Sequence, residues 1–220
     1  MNTLEFRDKL ARRTRRAKAP ITLAMLDPLE SYYLLLAQWN AKINLTALPL
    51  DPPTDETFDR LLVEPLAAAK HIPTHTQSVW FDLGSGGGSP AIPLKIARPA
   101  LRLTMIESKE RKGAFLREAV RTLELTDAFV ETERFEVAAA KSAYTQAADL
   151  VTVRAVRADG ELFQTAGSML KIGGRLLMFR PAHSPSPDPP GFRKLATYPL
   201  IDAPQQSFLT VFERVFHVER

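Results

Sequence analysis

Apolar positions recur along this chain with two different spacings, and the spacing switches several times. Residues 79–83, 101–107, 128–131, 149–154 and 175–179 are short apolar or alternating runs bounded by turn residues, the pattern of strands. The first of them, Val79-Trp80-Phe81-Asp82-Leu83, is apolar on both faces, as a buried parallel strand requires. Between these runs, residues 109–123, 136–141 and 160–170 read as helices, and another helix is expected to start near Ser89. Strands alternating with helices of this length predict a parallel sheet covered on both faces. Gly173-Gly174 is expected to turn the chain into the fifth strand, and residues 181–191, with five prolines, to form a loop at its end. Two β-rich segments, 193–201 and 207–218, with Asp202-Ala203-Pro204 between them, predict a hairpin on one sheet edge.

The first 73 residues carry a different pattern. Residues 4–18 have few regularly spaced apolar positions; Leu4, Leu10 and Ala11 share a face at best, and Pro20 ends the segment. A stronger helix is predicted from Pro28 to about residue 44, with Asp27 as its N-cap. Leu29, Tyr32, Tyr33, Leu36, Trp39 and Ile43 recur along it at three and four, as packing on a core requires. After a loop at 48–53, Thr54, Thr57 and Phe58 open a further helical stretch to about residue 70, with Leu61, Leu62 and Leu66 facing inward. The organisation read from this is a helical extension over 1–73 and an α/β domain over 74–220.

A chain of 220 residues supports one principal core. The absence of cysteine removes disulfides and thiolate metal sites. Of the four histidines, His71, His75, His183 and His217, the first two have helical ligand spacing, but Pro73 interrupts the helix that would align them, so no metal is expected. No apolar run approaches the length of a membrane span and no apolar leader stands at the N-terminus, so a soluble cytoplasmic protein without membrane association is expected. The net charge of +4 is unevenly placed: the first eighteen residues carry +5 and the remainder −1. Arg12, Arg13, Arg15 and Arg16 are therefore candidates for contacts to the phosphates of a nucleic acid, the plain alternative being a solvated helix face.

The candidate chemistry lies between the first strand and the helix after it, in Asp82-Leu83-Gly84-Ser85-Gly86-Gly87-Gly88-Ser89-Pro90. The glycines allow a tight turn and close approach of a ligand. Pro90 and Pro93 fit the first turn of a helix, whose N–H groups have no intrahelical partner. A helix start facing such a loop favours anionic or dipolar ligands. A P-loop would need Gly-Lys-Ser/Thr, and none follows Gly88. The dinucleotide pattern can be laid on Gly86, Gly88 and Ala91, which leaves nicotinamide or flavin binding open. The spacing Asp82-x-Gly84-x-Gly86-x-Gly88 more closely resembles the first motif of the Rossmann-like S-adenosylmethionine (SAM) methyltransferases. Glu107 ends the second strand about twenty residues further on, where a carboxylate accepts from ribose hydroxyls. Five parallel strands and a closing hairpin are likewise similar to the seven-stranded, mostly parallel sheet of those methyltransferases; a nicotinamide Rossmann domain adds a sixth parallel strand.

Taken over nearly its whole length, the chain resembles one family, the bacterial small-subunit ribosomal RNA guanine-N7 methyltransferases. The resemblance rests on Trp39-Asn40 and Asn44-Leu45-Thr46-Ala47, on the glycine motif with its two prolines through Leu94, and on Arg98-Pro99. It continues through Lys112, Phe115-Leu116, Arg134-Phe135-Glu136 and Arg154-Ala155. It implies SAM as cofactor, 16S rRNA or the small ribosomal subunit as partner, and a monomeric enzyme without metal. It also implies a pocket of Asp82, Gly84, Gly86, Gly88 and Ser89, with Glu107 and Ser108 at the ribose and Phe135 and Glu136 at the adenine. Arg154 would then stand at the pocket mouth between cofactor and RNA, and Arg180, in place of a family Lys, would face the RNA. Guanine N7 is an exposed acceptor, so such a protein must mainly align the reacting atoms and exclude water. Arg154 is expected to orient the base or a phosphate, because a guanidinium stays charged and cannot act as a base.

The sequence departs from the family at presumed RNA-facing positions. A family His-x-x-Asp-Ser is represented by Leu61, Glu64 and Pro65; a Ser before Arg154 is Val153; Lys-Gly after strand five is Arg180-Pro181; and an Arg-His pair is Ser207-Phe208. The rival expectations are a SAM methyltransferase with another nucleic acid, a protein or a small molecule as acceptor, a non-catalytic RNA-binding module, and a nicotinamide oxidoreductase.

Overall fold

Residues 1–72, 78–180, 189–201 and 207–216 are described by the computed structural model. Five strands, β1 (Val79–Leu83), β2 (Arg102–Ile106), β3 (Ala128–Glu131), β4 (Ala148–Arg154) and β5 (Leu170–Arg180), run parallel. β6 (Phe192–Ile201) and β7 (Ser207–Arg214) pair antiparallel, and β7 also pairs antiparallel with β5. The resulting seven-stranded sheet has the order β3-β2-β1-β4-β5-β7-β6. The predicted edge hairpin is thus present, with β6 outermost. The residues expected to join its strands, 202–204, lie outside the described residues, as do His75, His183, His217 and most of the proline-rich stretch.

Strand alternation divides the apolar side chains between two layers. Trp80, Leu103, Met105, Leu150, Leu177 and Phe179 face one layer, while Phe81, Leu83, Ile106, Val151, Leu176 and Met178 face the other. The second layer is covered by α7 (Phe135–Ala139) and α8 (Gly160–Met169). The first is covered by α5 (Ala91–Ala97) and α6 (Glu110–Thr122) and, in the same continuous cluster, by the N-terminal helices α1 (Thr3–Arg16) and α2 (Leu23–Asn40). A helical rod completes that layer: α3 (Asp55–Phe58), a π-helical turn at Asp59–Val63, α4 (Glu64–Ala68) and a 3-10 turn at Ala69–His71.

Three local expectations are corrected. α1 is a full helix, capped by reciprocal bonds between Asn2 and Glu5. Its buried stripe is Phe6, Leu10 and Thr14, while Leu4 is 78% exposed. Thr14 is tolerated inside because its hydroxyl donates to Leu10 O at 2.9 Å. α2 begins at Leu23 after Thr22, so Pro28 lies inside the helix and Asp27 is not its cap. Gly173-Gly174 does not turn the chain; β5 starts at Leu170 and carries a bulge there, with Gly173 at φ +81°.

The basic helix α1 is tied inward by much of its own charge. Arg13, 15% exposed at its side chain, pairs with Asp55 and Asp59, its Nε donating to Asp59 Oδ1 at 2.5 Å. Lys9 Nζ lies 3.1 Å from Asp55 and 5.0 Å from the Phe58 ring centre. Arg7 pairs with Asp27 and Glu30, and Arg12 with Asp8 on the surface. Arg13, expected among the RNA-facing arginines, is therefore turned to the rod, whereas Arg12, Arg15 and Arg16 are exposed. Arg13→Ala leaves Asp59 buried without its partner and is expected to lower unfolding stability by about 2–3 kcal/mol in a denaturant titration. Arg15→Ala should change it by less than about 0.5 kcal/mol; equal effects would refute the inward assignment of Arg13.

Candidate cofactor cleft

The strand order reverses direction between β1 and β4, which pair through Leu83 and Val153, and the chain continues from their carboxyl ends to opposite sides, the switch point outside which α/β sheets bind ligands in a crevice. The glycine loop enters this crevice. Gly84, Gly86 and Gly88 adopt φ +72°, +55° and +82°, a left-handed region that side chains with a Cβ rarely occupy. A Cβ on Gly86 would find only Gly84 O, 3.8 Å away, so this part of the loop stands open.

The loop is fixed from several sides. Glu107 Oε2 accepts from Gly86 N at 2.8 Å, and its Oε1 accepts from Lys109 N at 2.9 Å. The carboxylate expected at a ribose thus also braces the turn. Tyr32 Oη on α2 donates to Gly87 O at 2.7 Å. A Cβ on Gly87 would come within 3.2 Å of Leu45 O and 3.3 Å of a Leu36 methyl, so α2 and the turn after it press directly on the loop. Asn40 Oδ1 shapes that turn by accepting from Leu45 N and Thr46 N at 2.8 and 3.0 Å.

Beneath the loop, Asp82 is buried, and its Oδ1 accepts from the Thr152 hydroxyl. Thr152 Oγ1 in turn accepts from Trp80 Nε1 at 2.8 Å. Burial pushes the Asp82 carboxyl up to about 6, against the opposing pull of the Thr152 hydroxyl and the Arg154 charge. Burial likewise raises the Tyr32 hydroxyl far above its ordinary range.

Arg154 ends β4 but does not project to solvent; its side chain is 12% exposed. Nη1 donates to Arg60 O and, at 3.1 Å, to Ser89 Oγ, and Nη2 pairs with Glu64. Ser89 Oγ donates to Leu61 O at 2.9 Å. The predicted Asp82, Gly84, Gly86, Gly88, Ser89, Glu107 and Arg154 therefore converge on one crevice. Ser108 is exposed beside Glu107, and Phe135 and Glu136, both half-buried, open α7 after β3. Arg180 is half-buried at the end of β5. Arg12, Arg15 and Arg16 belong to α1, a different element from those that form the crevice.

In the sequence Tyr32 read only as part of an apolar stripe, Trp80 and Thr152 only as strand residues, and Glu64 only as a departure at a presumed RNA-facing position. Glu64 did leave a signal: it is the lone acid in the apolar run Leu61-Leu62-Val63-Glu64-Pro65-Leu66-Ala67-Ala68-Ala69. Among the described residues no group of three or more metal-ligating side chains occurs, and no helix is long and apolar enough to cross a membrane.

Residues 25–186 match the family model for rRNA small subunit methyltransferase G (GidB). The chain is 38% identical over 159 residues to the ribosomal RNA small subunit methyltransferase G of Xanthomonas axonopodis pv. citri, covering 71% of this chain and 69% of that protein. It is 36% identical over 166 residues to the protein of the same name from Stenotrophomonas maltophilia, covering 74% and 73%. Among solved structures, it is similar to a SAM-dependent methyltransferase from Aquifex aeolicus, with a TM-score of 0.55, 14% identity and coverage of 70% of this chain and 91% of that one. It is also similar to MtNAS in complex with MTA and tNA, with a TM-score of 0.59, 14% identity and coverage of 97% and 90%. At such identities these likenesses speak for the fold.

The open side of Gly86 and the buried carboxylate beneath it fit a cofactor that is cationic and lies against the loop. Gly86→Val places a branched side chain in that space at a left-handed φ, and SAM binding measured by calorimetry should be lost; unchanged affinity would overturn the assignment of the loop. Asp82 is ionised above about pH 6 and neutral below it. Affinity for SAM, whose sulfonium and ammonium groups are cationic, is therefore expected to weaken as pH falls through about 6. Asp82→Asn should remove that step from the pH profile.

Proposed function

This chain belongs to the rRNA small subunit methyltransferase G (GidB) family, and on that premise we propose that it methylates N7 of a guanine in 16S rRNA from the crevice at the ends of β1 and β4. It is a SAM-dependent methyltransferase; when bound, SAM supplies an electrophilic methyl group on a sulfonium leaving group. The observation that carries the reading is the span of the family match, which takes in the glycine loop together with α2 and the rod that brace it.

The work left to the protein is largely positional. Guanine N7 carries a lone pair and is unprotonated near neutral pH, so no general base is required. Asp82, Gly84, Gly86, Gly88 and Ser89 would hold the methionine side of the cofactor, with Glu107 and Ser108 at its ribose and Phe135 and Glu136 at its adenine. Glu107 already holds Gly86 N–H in place, so the loop is preorganised for the cofactor. Arg154, permanently charged, stands between cofactor and acceptor in this reading: it contacts the bound cofactor, orients the acceptor and takes no part in proton transfer. Arg12, Arg15, Arg16 and Arg180 are assigned to RNA phosphates, a sequence-independent attraction that weakens with salt. The helical part over 1–73 is accordingly read as the RNA-facing addition to a methyltransferase domain over 74–220. The reaction is placed in the cytoplasm, with the chain acting as a monomer.

The direct test is transfer of a labelled methyl group from SAM to small ribosomal subunits from cells lacking this gene, followed by nucleoside analysis. Labelled 7-methylguanosine in 16S rRNA is expected. Label in another nucleoside would refute the N7 assignment, and no transfer to subunits or naked rRNA, with SAM binding intact, would refute the acceptor.

A further inference from the structure

The helical rod changes hydrogen-bonding step where it meets Arg154. Its π turn covers Asp59–Val63, and the Glu64 N–H donates back five residues to Asp59 O. Such turns are rare and frequently lie at functional sites. The next residue, Pro65, has no N–H. It can therefore serve neither Arg60 O, five residues back, nor Leu61 O, four residues back. Those are the two carbonyls that the cleft uses: Arg154 Nη1 donates to Arg60 O, and Ser89 Oγ donates to Leu61 O at 2.9 Å.

The carboxylate of Glu64 completes the arrangement. Its side chain is 1% exposed, among the buried Leu62, Val63, Leu66, Ala67 and Ala68. A lone carboxylate in such surroundings is strongly disfavoured, and a buried guanidinium is too. Each offsets the other: Glu64 Oε2 receives Arg154 Nη2, and Arg60 Nη1 lies 3.6 Å from Glu64 Oε1. On the remaining side the Arg154 guanidinium carbon lies 4.7 Å from the centre of the Phe179 ring. Nη1 and Nη2 are thus engaged, and Nε is buried without a hydrogen-bond partner among the described residues.

We propose that Glu64 and Pro65 are positioning residues that set Arg154 in the cofactor cleft. Pro65 frees the carbonyls that receive Arg154 and Ser89, and Glu64 supplies the countercharge that keeps the guanidinium at the end of β4. This rests on the reading that Arg154 acts at the cofactor. A ligand arriving in the crevice then meets an arginine already desolvated and oriented, three of whose five N–H donors are engaged by Arg60 O, Ser89 Oγ and Glu64.

The test is a double-mutant cycle read by SAM calorimetry, which needs no methyl acceptor. Glu64→Gln and Arg154→Ala should each weaken SAM binding by about tenfold, and the double variant should be no weaker than Arg154→Ala alone. Glu64→Asp, which keeps the charge, should recover most of the affinity. Pro65→Ala, which restores an N–H competing for the same carbonyls, should weaken SAM binding without lowering the thermal midpoint, and it carries the test if Glu64→Gln fails to fold. Affinities of Glu64→Gln and Pro65→Ala within about twofold of the wild type would overturn the proposal, as would effects that multiply in the double variant. A wild-type protein that binds SAM but does not methylate ribosomal subunits would count against the proposed acceptor and leave the cycle fully readable.

Discussion

Gly87 leaves little room for a side chain, because the glycine loop is pressed against Leu36 on α2 and Leu45 in the turn that follows it. Most of the architecture serves that contact. α2 can reach the loop only because its stripe of Leu29, Tyr32, Tyr33 and Leu36 is buried in the layer that also covers Trp80 and Leu103. Tyr32 then makes the contact directional by donating to Gly87 O at 2.7 Å. The N-terminal helices are thus packed into the wall of the crevice. A cofactor loop made of four glycines within five positions has little intrinsic rigidity. Here rigidity is imported from helices earlier in the chain, from Glu107 on the neighbouring strand and from the hydroxyl of Ser89.

The strands and their order of alternation with helices were legible because a parallel sheet buried on both faces writes itself as short apolar runs, and the glycine spacing marked the ligand end. What was not legible depended on contacts between residues far apart in sequence. The stripe of α1 was hidden because one of its members, Thr14, is polar and satisfied by its own helix. Pro28 read as a helix start, yet packing of Met25 extends the helix ahead of it. The diglycine at 173–174 read as a turn but is a bulge inside β5. Arg13 counted toward a basic tail in the sequence, although Asp55 and Asp59, more than forty positions away, neutralise it. Net charge along a segment says nothing about which of its members face water.

Burial dominates the electrostatics of the crevice. Asp82, Glu64 and Arg154 are all nearly removed from solvent, and each is held by groups that a hydrophobic replacement could not supply. The charges form two linked sets: Trp80–Thr152–Asp82 beneath the loop, and Glu64–Arg154–Ser89 beside it. The Arg154 charge acts on both, since it also opposes the upward shift of the Asp82 carboxyl. A fold alone would be better served by apolar residues at these positions. Asp82 near the end of β1 supplies negative charge beneath the loop, while Glu64 on the rod neutralises the Arg154 guanidinium at the end of β4.

The departures from the family pattern can be weighed in the same terms. Leu61, Glu64 and Pro65 stand where relatives would place a histidine, an aspartate and a serine, and in the sequence they read as loss of an RNA-facing motif. In the fold, Glu64 keeps the acidic function with one more methylene, and Leu61 offers a backbone carbonyl where its side chain offers nothing. Pro65 removes a hydroxyl, yet it also removes the N–H that would compete for the carbonyls used by Arg154 and Ser89. Loss at these positions and a rewired support for the same arginine are different physical situations, and the buried Glu64–Arg154 pair supports the second. A chain that had abandoned the chemistry would have no reason to keep a carboxylate 1% exposed opposite a guanidinium 12% exposed at the end of its central strand.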